Sequence, residues 1–285
     1  MSPWIRLKRD RLALACMGFL GVVLVLGLLA PILPLSDPTL VDVRDKFAPW
    51  SWHHPFGTDQ LGRDVLSRLV YGIRATVFLS LLTMAITSAL GACVGLVSGF
   101  FRNRIDDVLM RICDVMMSFP SEVMILAIVG MMGPGLENVV IANVVAKWPW
   151  YARMVRSIVR QYSDKDYIRF AKVAGGSSIR IMMRHLLPGT AGELFVLTTL
   201  DTGSVILMIS ALSFLGLGVQ PPTPEWGMML NEAKEVMTMY PLQMIPAGMA
   251  ILLVVAAFNF LGDSLRDAFD PKHAGRERVY LKCGV

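Results

Sequence analysis

Three stretches of this chain carry no charged residue: Leu12 to Ser36, Ala75 to Phe101 and Val236 to Gly262. Each exceeds the roughly 20 residues a helix needs to cross a hydrocarbon core, so each predicts a membrane span. Three further apolar stretches are interrupted. Residues 102–118 mix Asp106, Asp107, Arg111 and Asp114 with Val108, Met110, Ile112, Val115 and Met116 at helical spacing. That pattern predicts an amphipathic helix leading into the apolar segment Val123 to Met132. A fourth span contains Lys147 and a fifth contains Asp201. Ionisable groups at membrane depth are costly and turn toward a bundle interior or a water path, so these helices are not expected to face lipid all round. The spans read from the pattern are about 12–34, 75–100, 115–134, 138–157, 191–216 and 242–262.

Composition agrees with a membrane as solvent. Hydrophobic residues make up 54% of the 285 and charged residues only 17%, with a mean hydropathy of +0.56. That is more apolar than a soluble core requires. The net charge of +5 would suit nucleic acid, but no stretch interleaves basic and aromatic residues on a soluble module. The basic residues instead set topology. They crowd residues 6–11, 102–111, 153–184 and 266–282, while the intervening loops hold only Arg44, Lys46, Arg63, Arg68, Arg74 and Lys234. The positive-inside rule then puts both termini in the cytoplasm. The implied division is a cytoplasmic N-terminus (1–11), a first transmembrane helix (12–34), an extracytoplasmic loop (35–74), a five-helix core (75–262) and a cytoplasmic tail (263–285). Arg6, Lys8, Arg9 and Arg11 precede the first run as in a signal peptide, yet a signal core is only about 7–15 residues long. The run reads as a retained helix.

Chemistry-bearing motifs are sparse. There is no GxxxxGK[ST] phosphate loop, no HExxH, no GxSxG and no Cys/His cluster, so energised work would draw on another polypeptide. Cys16, Cys93, Cys113 and Cys283 show no CxxC spacing and read as reduced and inert. His53 and His54 are adjacent, and consecutive side chains in an extended loop point apart, so they make no closed metal site. Nineteen methionines fit gap-filling in a membrane bundle better than metal capture. The inner loop 158–190 is basic, and Gly175-Gly176 followed by Ser177-Ser178 reads as a helix stop and a new N-cap.

These features bring a known family into view. Tyr167-Ile168-Arg169-Phe170-Ala171-Lys172-Val173-Ala174-Gly175, followed by His185-Leu186-Leu187-Pro188, resembles the EAA loop of binding-protein-dependent ABC importer permeases. There a Glu-Ala-Ala triplet, a glycine and a downstream Leu-Pro mark the coupling helix that docks in a groove of the ATPase. Ala171, Gly175, Leu187 and Pro188 match; Arg169 and Phe170 replace the usual Glu and first Ala. The segment from Phe56 to Arg68, FGTDQLGRDVLSR, resembles a signature that follows the first helix in the dipeptide, oligopeptide and nickel branch. Ser213 to Gly227, SFLGLGVQPPTPEWG, is similar to that branch's outer loop after the fifth helix.

The resemblance implies an all-α integral membrane protein of the type I ABC importer permease fold, with six transmembrane helices and a cytoplasmic coupling helix. It implies the C-type permease of a pair in the bacterial inner membrane. Its expected partners are a second homologous permease, two ATP-binding subunits, an extracytoplasmic solute-binding protein and membrane lipid, with no nucleic acid. It implies no cofactor, bound metal or catalytic residue in this chain. Residues 147–157, Leu200 to Gly203 and Trp226 to Ala233 look most like permeases for nickel or metal-metallophore chelates, with dipeptide or oligopeptide transport as the alternative. Asp201 and Lys147 are candidates for the translocation path, or for an intramembrane pair that only sets helix packing. A membrane scaffold that recruits a soluble partner through the inner hairpin is the competing class.

Overall fold

The computed structural model describes residues 7, 8 and 10–269. Arg6, Arg9, Lys272, Arg276, Arg278, Lys282 and Cys283, which entered the charge and cysteine arguments above, lie outside the described residues. Among the described residues the regular structure is all helix, apart from a single bridge between Thr58 and Asp64.

Helix α1 (Arg11–Leu29) starts on Asp10, whose carboxylate accepts from the Leu12 and Ala13 amides and from the Ser264 hydroxyl at 2.7 Å. Helix α2 (Val65–Ile73) starts on Asp64, which caps the Ser67 amide. It runs through a wide turn at Arg74–Phe78 into α3 (Leu79–Phe101). The helical rod therefore begins ten residues before the apolar run, because Asp64 supplies a cap there and the basic residues Arg68 and Arg74 are tolerated outside the apolar stretch.

Helix α4 (Arg104–Met117), capped by Asn103, and α5 (Ser121–Met132) meet at a bend of 82°. Pro120 supplies no amide to the ladder and pushes Phe119 out of helical geometry, which accounts for the break. Helix α6 (Leu136–Ser163) is continuous over 28 residues with Pro149 inside it. Helices α7 (Asp166–Val173) and α8 (Ser178–Ile181) form a short hairpin. A second wide turn at Met182–Leu186 leads into α9 (Leu187–Phe214), followed by α10 (Trp226–Glu235) and α11 (Ile245–Phe269).

Among the described residues, four helical segments are long and apolar enough to cross a membrane, and the bent α4–α5 pair makes a fifth. Helix α6 is long enough but carries Lys147, Arg153, Arg156 and Arg160. It lies at the centre, packed on α3, α4 and α5.

The α3–α6 contact is the most extensive in the fold, and small residues permit it. A Cβ at Gly91 would lie 2.3 Å from Tyr151 Cβ, one at Gly95 2.5 Å from the Ala152 carbonyl, and one at Gly99 2.8 Å from Val159. Glycine every fourth residue lets two backbones approach where lipid offers no hydrophobic drive for association. Helices α9 and α11 pair similarly, with Gly262 lying under Leu200.

Candidate functional site

Three polar clusters interrupt the apolar bundle. The first is at the hairpin end, where α3 and α6 finish and α9 begins. Gly175 has φ +78, the left-handed geometry glycine adopts freely, and the Gly176 amide bonds back to the Ala171 carbonyl. Ser177 then caps the Arg180 amide. Ile168 is buried with Ala92, Leu96, Val155, Val159 and Ile181, which fixes α7 to the bundle by one face. Its other face presents exposed apolar residues, Phe170 at 77% and Val173 at 87%, and Ile179 of α8 is 72% exposed. Tyr167 lies near the His185 ring, and Arg169 and Pro188 are exposed. Ala171 and Leu187 pack against the Ile168 cluster.

Beside this hairpin, Asp106 of α4 is only 2% exposed. It accepts from Arg156 at 2.6 and 2.7 Å, from Arg160 at 2.5 Å and from the Ser98 hydroxyl. The Arg156 hydrogen bonds outweigh burial and hold its carboxyl at about 2. Asp114 pairs with Arg153, and Arg102 reaches Asp164 at 2.9 Å. Helix α4 is thus riveted along α6.

The second cluster lies midway along the bundle. Lys147 Nζ is 3.9 Å from Asp201 Oδ2, and the Tyr151 hydroxyl donates to the same oxygen at 3.0 Å. Both groups line a cavity of about 560 Å³ between the α4–α5 bend, α6 and α9, and Glu122 lines it as well.

The third is at the opposite end, where the loop before α2 meets α10. Arg63 donates to Asp59 at 2.7 Å and to Glu232 at 2.9 Å. Arg68, also 2% exposed, bridges the same two carboxylates at 2.5 and 2.7 Å. His54 contacts Asp64 at 3.0 Å. Glu225, wholly buried, caps the Met228 amide and accepts from Thr76; burial pushes its carboxyl up. Among the described residues no group of three or more metal-ligating side chains converges.

Residues 91–274 match the model of the binding-protein-dependent transport system inner membrane component, and residues 2–65 match the N-terminal transmembrane domain of oligopeptide transport permease C. The chain belongs to this permease family. Its relatives include the metal-staphylopine import system permease protein CntC of Staphylococcus aureus, 41% identical over 98% of this chain and 97% of the relative. The dipeptide transport system permease protein DppC of Alkalihalophilus pseudofirmus is 37% identical over 95% of this chain and 91% of its own length. The nickel transport system permease protein NikC of Escherichia coli is 38% identical over 82% and 85%. The chain is an ABC importer permease, a multi-pass inner-membrane protein.

The permease brings Lys147 and Asp201 together, and it gathers the α7–α8 residues at one end. Sequence reasoning missed Tyr151, Glu122, Asp106 and the Asp59–Arg63–Arg68–Glu232 quartet. The spacing of Lys147 and Tyr151, one turn apart on α6, is the signal that could have found the first. The quartet joins Arg63 to a residue 169 positions away, beyond any local pattern.

Proposed function

We propose that this permease forms half of the channel of an importer that carries a metal ion, or a metal held by a small organic chelator, inward across the inner membrane. The observation that carries the reading is the 41% identity over 98% of the chain with a permease named for metal-staphylopine import. Dipeptide or oligopeptide import is the second reading, supported by the 37% identity with a dipeptide permease.

The other half of the channel is a second homologous permease, and an extracytoplasmic solute-binding protein delivers the cargo. Two ATP-binding subunits hydrolyse the nucleotide; this chain does not. In this reading the chain crosses six times, through α1, α3, α5 with the end of α4, α6, α9 and α11. Helix α6 counts as a span although it is polar, because α3, α4 and α5 shield its charges from lipid. Both termini lie in the cytoplasm, with residues 35–74 outside, 75–262 as the transmembrane core and 263–285 as the tail. The hydrogen bond between Asp10 and Ser264 supports an even number of crossings. Lipid meets the apolar flank, including a cavity of about 1090 Å³ between α1, α2 and α11 lined by Phe19, Leu69 and Met249.

The loop 158–190 is the coupling element. Phe170 and Val173 lie on the exposed apolar face of α7, suited to a groove in an ATP-binding subunit. Tyr167 and Arg169 flank them, Ala171 and Gly175 shape the turn, and Leu187 with Pro188 sets the start of α9. Closure of the ATP-binding subunits displaces α7. Because α6 runs directly toward it, the movement reaches Lys147 and Asp201 on the path, and the bundle alternates between inward and outward openings.

The test is uptake of radiolabelled nickel, a nickel chelate and a dipeptide in cells lacking this chain and in cells with it restored. Loss and recovery of nickel or chelate uptake alone is expected. Loss of dipeptide uptake alone would replace the metal reading with the peptide one.

A further inference from the structure

The cavity at the α4–α5 bend holds three ionisable side chains from three helices: Glu122 of α5, Lys147 of α6 and Asp201 of α9. Their bonding capacity is largely unspent. Among the described residues, the nearest carboxylate to Lys147 is Asp201 at 3.9 Å, too long for a hydrogen bond, and Glu122 acts on it only at longer range. Asp201 accepts through Oδ2, from Tyr151, leaving Oδ1 open. Glu122 accepts from the Ser121 hydroxyl and from its own backbone amide, and faces Lys147 electrostatically, with no bond to a residue of another helix. Charged groups at membrane depth are expensive and mark a path or a partner, and a pair built only for packing would close to bonding distance.

A cavity of about 560 Å³ is in the range that small organic ligands occupy. Its chemistry is two carboxylates facing one ammonium, walled by Phe119 and Trp150. A bare divalent ion fits poorly: the ammonium opposes it, and borderline metals draw on imidazole or thiolate donors that the lining lacks. A solute bearing both a carboxylate and a protonated amine fits well, its carboxylate on Lys147 and its ammonium between Glu122 and Asp201.

Resting on the transport reading above, we propose that this cavity is a passage site for small zwitterionic solutes, short peptides or chelates that keep a carboxylate and an ammonium free of the metal, and that it discriminates against free metal ions. Tyr151 is a positioning residue here: it holds Asp201 so that the open oxygen faces the solute.

The test uses the whole importer, assembled with its partner subunits, in a background where the native cysteines are replaced and Ser204, which also lines the cavity, is changed to cysteine. The rate of maleimide labelling at that position is measured with nickel(II) alone, glycylglycine, and N-acetylglycylglycine, which lacks the ammonium. Protection by glycylglycine, but not by nickel(II) alone or the acetylated dipeptide, is expected. Lys147→Met or Asp201→Asn should raise the protecting concentration about tenfold or more, and Lys147→Arg should restore much of it. Protection by nickel(II) alone, protection unchanged in both variants, or no protection by any probe would overturn the proposal. Uptake of the same probes separates the two readings. Protection without uptake sustains the site and counts against transport of that probe, whereas uptake without protection sustains transport and sinks the site.

Discussion

Asp106 shows how one side chain can organise the hairpin end of the permease. It joins α3 through Ser98 and α6 through Arg156 and Arg160, so its loss leaves two guanidinium groups facing each other without their shared counter-charge. Removing one partner of such a network costs about 3–5 kcal/mol when fully buried; with Arg160 41% exposed, Asp106→Asn should cost about 1–3 kcal/mol, read as a lower melting temperature in detergent. The pH dependence has a definite sign. The folded carboxyl titrates at about 2, below its ordinary 3.8, so the unfolded chain binds more protons in that interval. The stabilisation is complete above about pH 4 and is lost as pH falls toward 2. Wild type should therefore lose more stability than Asp106→Asn across that window; parallel losses would remove Asp106 from the account.

At the scale of elements, the α3–α6 seam makes the sharpest prediction. Gly95→Ala puts a Cβ 2.5 Å from the Ala152 carbonyl and 2.7 Å from Val155 Cβ. Neither backbone can yield alone, so a loss of about 1–3 kcal/mol is expected, as for overpacking elsewhere. Gly18→Ala in α1, with nothing within 4 Å of the new methyl, should be near neutral, and thermal melts of the two variants side by side decide it. Elements differed in how far the sequence disclosed them. Helices α1, α3 and α11 were legible because each apolar run is uninterrupted. The length of α6 was not, because the span was read to end at 157 and Arg160 to lie in the inner loop, whereas its pairing with Asp106 holds it on the helix. The sharp bend before α5 was signalled only by Pro120. The Gly175–Ser177 turn was readable in full, since both its devices, a left-handed glycine and a serine cap, are local.

For the whole molecule, the polar clusters lie at the two ends and the middle of an apolar bundle. That is the distribution a conduit worked from one end requires. The mid-bundle pair was legible as two ions isolated in apolar surroundings, whereas the quartet of Asp59, Arg63, Arg68 and Glu232 depends on the fold bringing the loop before α2 against α10. Arg68→Met should leave Asp59 and Glu232 with one guanidinium between them and cost about 3–5 kcal/mol, seen as early unfolding of this end by amide hydrogen exchange.

On the function proposed above, ATP-binding subunits drive this permease through the exposed face of α7. This coupling is tested most directly by purifying the assembled importer with wild-type chain or with Phe170→Asp and measuring ATP hydrolysis with and without the loaded solute-binding protein. The account predicts that loaded binding protein stimulates hydrolysis in the wild type and that Phe170→Asp, exposed and so tolerated by the fold, abolishes the stimulation together with uptake. Full stimulation and uptake in Phe170→Asp would contradict it.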